Sequence, residues 1–402
     1  MARSFSELAE AYTRAQGARA SWFVAARHVP DALAKLGIVG PADRLVVCAD
    51  DFEQAFRTGF PGERLRFIGE PSAAAFLAAS GAGEGRAADA DAAAGSESDA
   101  PSLPVISSFS DASGEAGTVG RAREGRGSGA PVAHHASYAH AAGASAEHLF
   151  WFVNAIGCRG LRVPDLRELA RAAQGAGAIL IVDDTVPSCF GCAPLELGAH
   201  IVLEALDRVA AGAMATRTVA LAVARSVTGR GRRQRTDPVA EDAYLVLAQR
   251  LGQGAAPAPE IPLEDLAALD RGLASLSARM QAHMDNARAI AEYLACHPRV
   301  PSVSYPGLKS HPDHAVAANV LRHGFGPAVD FELPAPVTAA SLIAVCDPAF
   351  RAAPAGGPCT RLSARDGAEA RFIRLFAGVD DPLDIVDSLD QALRMFCNPP
   401  QP

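Results

Sequence analysis

Two unbroken apolar runs separated by one amphipathic segment constrain this chain more than any other feature. HLFWFVNA (residues 148–155) shows no polar alternation between its terminal His148 and Asn154, and AILIVDD (178–184) shows none before its two acids. A strand that is apolar at every position must be covered on both faces, as in parallel sheets sandwiched between helices. Between them, PDLRELARAAQGAG (164–177) carries apolar residues at helical spacing and stops on a glycine. Upstream, 30–48 reads as helix, turn and short strand, FEQAFRTGF as a helix and RLRFIGE as a second strand. These are αβαβ units, and they predict an α/β fold with parallel strands.

Downstream, ELGAHIVLEAL (196–206) is a further helix–strand step, and the basic loop TGRGRRQRTDP (228–238) precedes helices near 238–253 and 263–297. A strand VDFEL, then RFIRLFAGV leading into a last helix PLDIVDSLDQALRMF, suggest a smaller α+β domain at the C-terminus. We therefore expect a large domain over 1–262 and a linker helix with a small domain over 263–402. The stretch from about 80 to 145 is rich in Gly, Ala, Ser and Asp and poor in bulky apolar residues. It cannot bury enough surface to offset an ordering entropy of roughly 1–2 kcal/mol per residue, and a disordered insertion is expected there. Within it, PVISSF (104–109) carries a weak strand signal.

A net charge of −8 argues against nucleic acid or an anionic membrane surface as partner. No run reaches the roughly 18 apolar residues of a membrane span, and the N-terminus lacks a secretory pattern, so a soluble cytoplasmic protein is expected. Eight scattered cysteines read as reduced thiols. Cys189 and Cys192 have C-x-x-C spacing; two ordinary thiols are the expectation, against a redox pair or half a metal site. His134, His135 and His140 read as solvated histidines, against a weak metal site. Arg230, Arg232, Arg233 and Arg235 read as a solvated loop, against an anion contact. Phosphate-loop and nucleophile-elbow motifs are absent.

The order of blocks resembles the Cys/Met-metabolism family of pyridoxal-phosphate enzymes, which includes cystathionine synthases and lyases. The resemblance is carried by residues 161–185, by APLELGAHIV (193–202), by the run from Leu269 to His314 and by FIRLFAGVDDPLDIVDSLDQAL (372–393). It implies a type I PLP-transferase fold, with a mostly parallel, doubly wound sheet domain and a small C-terminal α+β domain. It also implies a cofactor at the C-terminal edge of the sheet and sites shared within an oligomer.

Residue by residue, the resemblance matches Asp183 to the carboxylate that keeps the pyridine nitrogen protonated. A structural role as acceptor for neighbouring backbone N–H groups stays open for it. Arg374 matches the arginine that pairs with the substrate carboxylate; an ion pair at the domain seam is the other reading. The family lysine holds the cofactor aldehyde, is displaced by the substrate amine and shuttles protons. At its position stands Asp207, and the two preceding hydroxyl positions hold Glu204 and Leu206. A carboxylate about 5 Å from a phosphate ester would repel each of its charges by roughly 3 kcal/mol at an effective dielectric near 20. The phosphate-cradling turn falls at Ala26-Arg27-His28, and the ring-stacking tyrosine at Glu53, or at Phe52 with a one-residue slip. The loop that supplies an asparagine becomes Asn154–Arg159. The N-terminal arm that reaches a neighbour's phosphate is expected to be missing.

Only Lys35 and Lys309 occur among 37 lysines and arginines, and neither follows the Asp183 strand. These departures suggest a degenerate transsulfuration homologue without catalytic residues, in which pyridoxal phosphate binding is doubtful and not covalent. The expected role is binding or regulatory, as a homo-oligomer or beside an active paralogue, with a small amino-acid ligand against Arg374. The alternative is a carbon–sulfur lyase or transferase acting on cystathionine- or homoserine-type amino acids with noncovalent cofactor. A third class is a decaying gene product.

Overall fold

In the computed structural model of the chain, residues 4–60, 62–81, 147–212, 214–228, 235–252, 261–347, 350, 355–365 and 370–397 are described. The expected insertion, its PVISSF segment, the three histidines within it, and Arg230, Arg232 and Arg233 lie outside these residues. Ser80, at the insertion's expected start, is instead the buried last residue of a helix that stops at the left-handed Gly81.

The main sheet has seven strands: β1 (Ala20–Ala25), β2 (Arg44–Cys48), β3 (Leu65–Phe67), β4 (Leu149–Asn154), β5 (Ala178–Asp183), β6 (Ile201–Ala205) and β7 (Thr218–Val223). Their spatial order is β1-β7-β6-β5-β4-β2-β3. The β3, β2, β4, β5 and β6 pairings are parallel, as the sequence predicts. β7 and β1 extend that edge with antiparallel pairings, which the sequence reading did not contain.

Helices α1 (Phe5–Ala15), α2 (Val29–Lys35), α3 (Glu53–Gly59), α4 (Ala73–Ser80), α5 (Leu166–Ala176), α6 (Ser188–Gly191) and α7 (Pro238–Gly252) cover the sheet. On one face Phe76, Leu166 and Leu169 pack with Trp151, Leu180 and Val202. On the other Leu33, Phe56 and Leu247 pack with Phe152, Ile181 and Leu203. Alternate residues of each strand thus enter different cores, which is why β4 and β5 read as unbroken apolar runs. A two-strand ribbon, β8 (Val227–Thr228) with β9 (Arg235–Thr236), lies before α7.

The 34-residue helix α8 (Leu263–Cys296) leads to a four-stranded antiparallel sheet. Its strands are β10 (Val303–Ser304), β11 (Ala328–Glu332), β12 (Arg361–Arg365) and β13 (Phe372–Phe376), ordered β10-β11-β13-β12. Helices α9 (His314–Val320), α10 (Ala339–Val345) and α11 (Pro382–Cys397) complete this part. Its separate core joins Ile290 and Leu294 of α8 to Phe331, Ile373, Leu375 and Leu389.

Helix α8 also holds the segment that follows β6. A Cβ on Gly272 would lie 2.5 Å from Ala211 Cα and 2.6 Å from the carbonyl oxygens of Ala210 and Ala211. Two turns on, Arg279 donates to the carbonyls of Val209 and Ala210, each at 3.1 Å. Glycine is thus required here for backbone-to-backbone approach, at a helix-propensity cost of about 1 kcal/mol. Gly272→Ala is expected to lower the thermal midpoint despite its better propensity, because overpacking costs about 1–3 kcal/mol. A differential scanning calorimetry trace showing a raised midpoint would contradict this packing.

Candidate functional site

The C-terminal ends of β4, β5 and β6 open into a cavity of about 230 Å³. Arg27, His28, Asp51, Asn154, Asp183, Thr185, Arg208 and Arg374 supply its polar lining, and Phe52, Ile156, Val186, Val209 and Phe376 much of the apolar part. The site therefore draws together residues from the strand ends, from the start of α2, from the β2–α3 connection and from β13. Ligand crevices in open α/β sheets form at this edge.

Asp183 ends β5 and is 3% exposed. Burial pushes its carboxyl up to about 6, opposed by the Thr185 hydroxyl and backbone N–H, which donate to Oδ1 at 2.5 and 2.9 Å. Its Oδ2 receives one contact, from Asn154 Nδ2 at 3.3 Å. The Asn154 Oδ1 is buried without a hydrogen-bond partner among the described residues. Asp183 thus accepts from the Thr185 backbone and also lines the cavity.

Arg374 lines the same cavity, and its guanidinium is already engaged. It meets Asp330, its cross-strand partner, through Nε–Oδ1 and Nη2–Oδ2, both at 2.7 Å. Nη1 donates to Asp51 Oδ2 at 2.8 Å, and Nη2 to the Cys158 carbonyl at 2.9 Å. The seam ion pair is thus present: Asp51 belongs to the β2–α3 connection and Arg374 to the small sheet. Burial raises the Asp330 carboxyl to about 6 against the pull of Arg374.

Asp207 follows the end of β6 and is 8% exposed. Burial raises its carboxyl, and the adjacent Arg208 pulls it back from 3.5 Å. Its neighbours Ala205, Arg208 and Val209 line the cavity. Neither lysine does. Lys35 Nζ donates to the Ala25 carbonyl at 2.9 Å and pairs with Asp31 at 3.1 Å, while Lys309 is exposed in the connection before α9.

Glu204 departs from the expectation that it stands beside a phosphate in this cavity. Side chains alternate along a strand, so Ala205 faces the cavity while Glu204 points to the opposite side of the sheet. There it is fully buried beneath α1, accepting from Tyr12 Oη at 3.1 Å, Gln16 Nε2 at 3.2 Å and Ser188 Oγ at 2.7 Å. Leu206 likewise packs among Leu8, Tyr12 and Leu269.

The other matched positions divide as follows. Arg27 and His28 reach the cavity; His28 Nδ1 accepts from the Asp31 N–H at the start of α2, and burial lowers its imidazole pKa. Phe52 lines the cavity, while Glu53 pairs with Arg57 at 2.6 Å. Asn154 lines it too, and Cys158 contributes its carbonyl to Arg365 and Arg374. Cys189 and Cys192 are free thiols whose pKa values burial raises, and no cluster of metal-ligating side chains occurs among the described residues. Arg365 and Asp51, absent from the sequence reading, are central to the seam; their partners lie too far along the chain to leave a local signal.

The open, mostly parallel sheet with a cavity at its C-terminal edge, to which a small antiparallel sheet contributes, defines an α/β protein. The chain belongs to the Cys/Met metabolism PLP-dependent enzyme family, whose sequence profile matches residues 140–394. It is 32% identical over 246 residues to a cystathionine gamma-synthase from Mycobacterium bovis, covering 58% of each chain. It is 29% identical over 251 residues to the chloroplastic cystathionine beta-lyase of Arabidopsis thaliana, covering 58% of this chain and 50% of the relative. The matched region therefore spans less than two thirds of these relatives. An apo methionine gamma lyase from Micromonospora echinospora superposes with a TM-score of 0.67 at 22% identity, covering 97% of this chain and 84% of that one. A cystathionine gamma synthase from Xanthomonas oryzae pv. oryzae gives 0.63 at 21% identity, covering 96% and 84%. No described helix is long and apolar enough to cross a membrane.

The Glu204 carboxyl is held at about 7, raised by burial and pulled down by Ser188, Tyr12 and Gln16. Its ordinary value is 4.5. The folded state keeps this proton through a range where the unfolded chain has released it, so stability falls as pH rises from about 4.5 to 7 and then levels off. Glu204→Gln is expected to remove that slope, gaining roughly 2–3 kcal/mol relative to the wild type between pH 5 and 8. Urea titrations of both proteins across this range check it; parallel profiles would contradict the assignment.

Proposed function

We propose that this chain is a non-catalytic member of its family, a binding or regulatory protein whose cavity holds a small amino-acid-like ligand without a Schiff base. One observation carries the reading: no amine lines the cavity. Both lysines of the chain are described, Lys35 is tied to Ala25 and Asp31, and Lys309 is not a lining residue. The residues present therefore do not fit a lysine-bound pyridoxal phosphate. Asp207, the residue aligned with the lysine, is a carboxylate paired with Arg208, and it offers no nucleophilic nitrogen.

A second reading rests on Asp183 and Phe52, which line the cavity as a ring-nitrogen partner and a ring-stacking side chain would. It gives the cofactor a noncovalent place and the protein a residual carbon–sulfur lyase or transferase activity on cystathionine- or homoserine-type amino acids. Thiol release from cystathionine on addition of pyridoxal phosphate would favour it. Assembly, with itself or with an active paralogue, belongs to the regulatory reading; native mass spectrometry is expected to give a defined oligomer.

The protein as purified is expected to show an unmodified intact mass after borohydride reduction. A stoichiometric pyridoxyl adduct on any residue would overturn the proposal.

A further inference from the structure

We infer that Arg365 and Arg374 form a carboxylate-binding fork whose resident occupant is the protein's own Asp51, a self-blocking side chain that an incoming ligand carboxylate must displace. The inference rests on the proposed reading that the cavity takes an amino-acid-like ligand without a covalent bond. The geometry is that of a bound carboxylate. Asp51 Oδ2 meets Arg374 Nη1 at 2.8 Å, and Asp51 Oδ1 meets Arg365 Nη2 at 2.8 Å, so its two oxygens bridge two guanidinium groups. Planar guanidinium forks favour this geometry.

The fork is buried and its occupant is more exposed. The Arg365 and Arg374 side chains are 8% and 12% exposed, against 30% for Asp51. Asp330 fixes Arg374 from behind with two hydrogen bonds, and both arginines donate to the Cys158 carbonyl. Asp330 and Cys158 therefore hold the fork in place when Asp51 leaves. Among the described residues Arg365 Nε is buried and has no hydrogen-bond partner. Asp51 has somewhere to go, since it heads the exposed side of the β2–α3 connection beside Asp50.

The ligand class follows from the lining. A carboxylate belongs at the fork, and an ammonium suits Asp183 Oδ2, which has only the 3.3 Å contact from Asn154. An uncharged side chain suits Ile156, Val186, Val209 and Phe376. This describes an α-amino acid with an apolar side chain. A tethered carboxylate competes at an effective concentration of millimolar or above, so the wild-type site is weakened by that competition.

The test uses L-methionine and, lacking the carboxylate, L-methioninamide as probes in isothermal titrations of the full chain. Asp51→Asn is expected to bind L-methionine about tenfold tighter than the wild type, with no gain for the amide. Adding Arg374→Gln is expected to abolish the gain. Equal affinity of wild type and Asp51→Asn for L-methionine overturns the inference, as does binding to neither, or an equal gain for the amide, which would mark a simple clamp between sheet and small domain. If Asp51→Asn loses its cooperative melt, Asp51→Ser is compared in the same way; loss of folding in both assigns Asp51 to the fold and overturns the inference. Failure of the non-covalent reading shows up separately, as a borohydride-trapped adduct in the wild type.

Discussion

The alternation of side chains at the ends of β5 and β6 decides what this molecule presents to a ligand. Asp183 and Ala205 emerge on the cavity side, and Glu204 on the side roofed by α1. One residue of register would exchange them, moving a fully buried carboxyl with three donors into the cavity and removing Asp183 from it. Register is fixed by the apolar sets that the same strands send into two cores, Ile181 and Leu203 on one face and Leu180 and Val202 on the other. The chemistry of the cavity is thus a consequence of hydrophobic packing several residues away.

A second constraint acts at the seam. Two arginines of the small sheet face Asp50, Asp51 and Asp330, and burying the arginines and Asp330 unpaired would be costly. Bidentate geometry and the Cys158 carbonyl compensate them, so the cluster holds the small sheet against the strand ends. Arg374 and Asp51 of this cluster also line the cavity. One group of side chains thus both joins the small sheet to the strand ends and lines part of the cavity.

Glu204 illustrates how an aligned position and its environment come apart. Alignment places it where the family has a hydroxyl, which suggested repulsion of a phosphate. In the fold it is a buried hydrogen-bond hub joining α1, α6 and β6. Its partner Tyr12 lies 192 residues away in sequence. Helix α1 itself carries a local signal, the capping pair Ser4 and Glu7, but nothing local indicates that it roofs Glu204.

The sequence by itself determined the parallel strands, because runs such as LFWFVN and AILIVD have no polar face to give to water. It determined the longer helices over 166–176, 238–252, 263–296 and 382–397, and that only two lysines exist. It also located Asp183 and Arg374, since both lie in blocks with a family pattern. Tertiary structure alone decided that β7 and β1 close the edge antiparallel, that Glu204 turns away, and that Asp51 reaches Arg374 across 323 residues. Local periodicity records which residues are buried. It carries no information on which distant charge will meet which, because that depends on how the packed elements bring remote parts of the chain together.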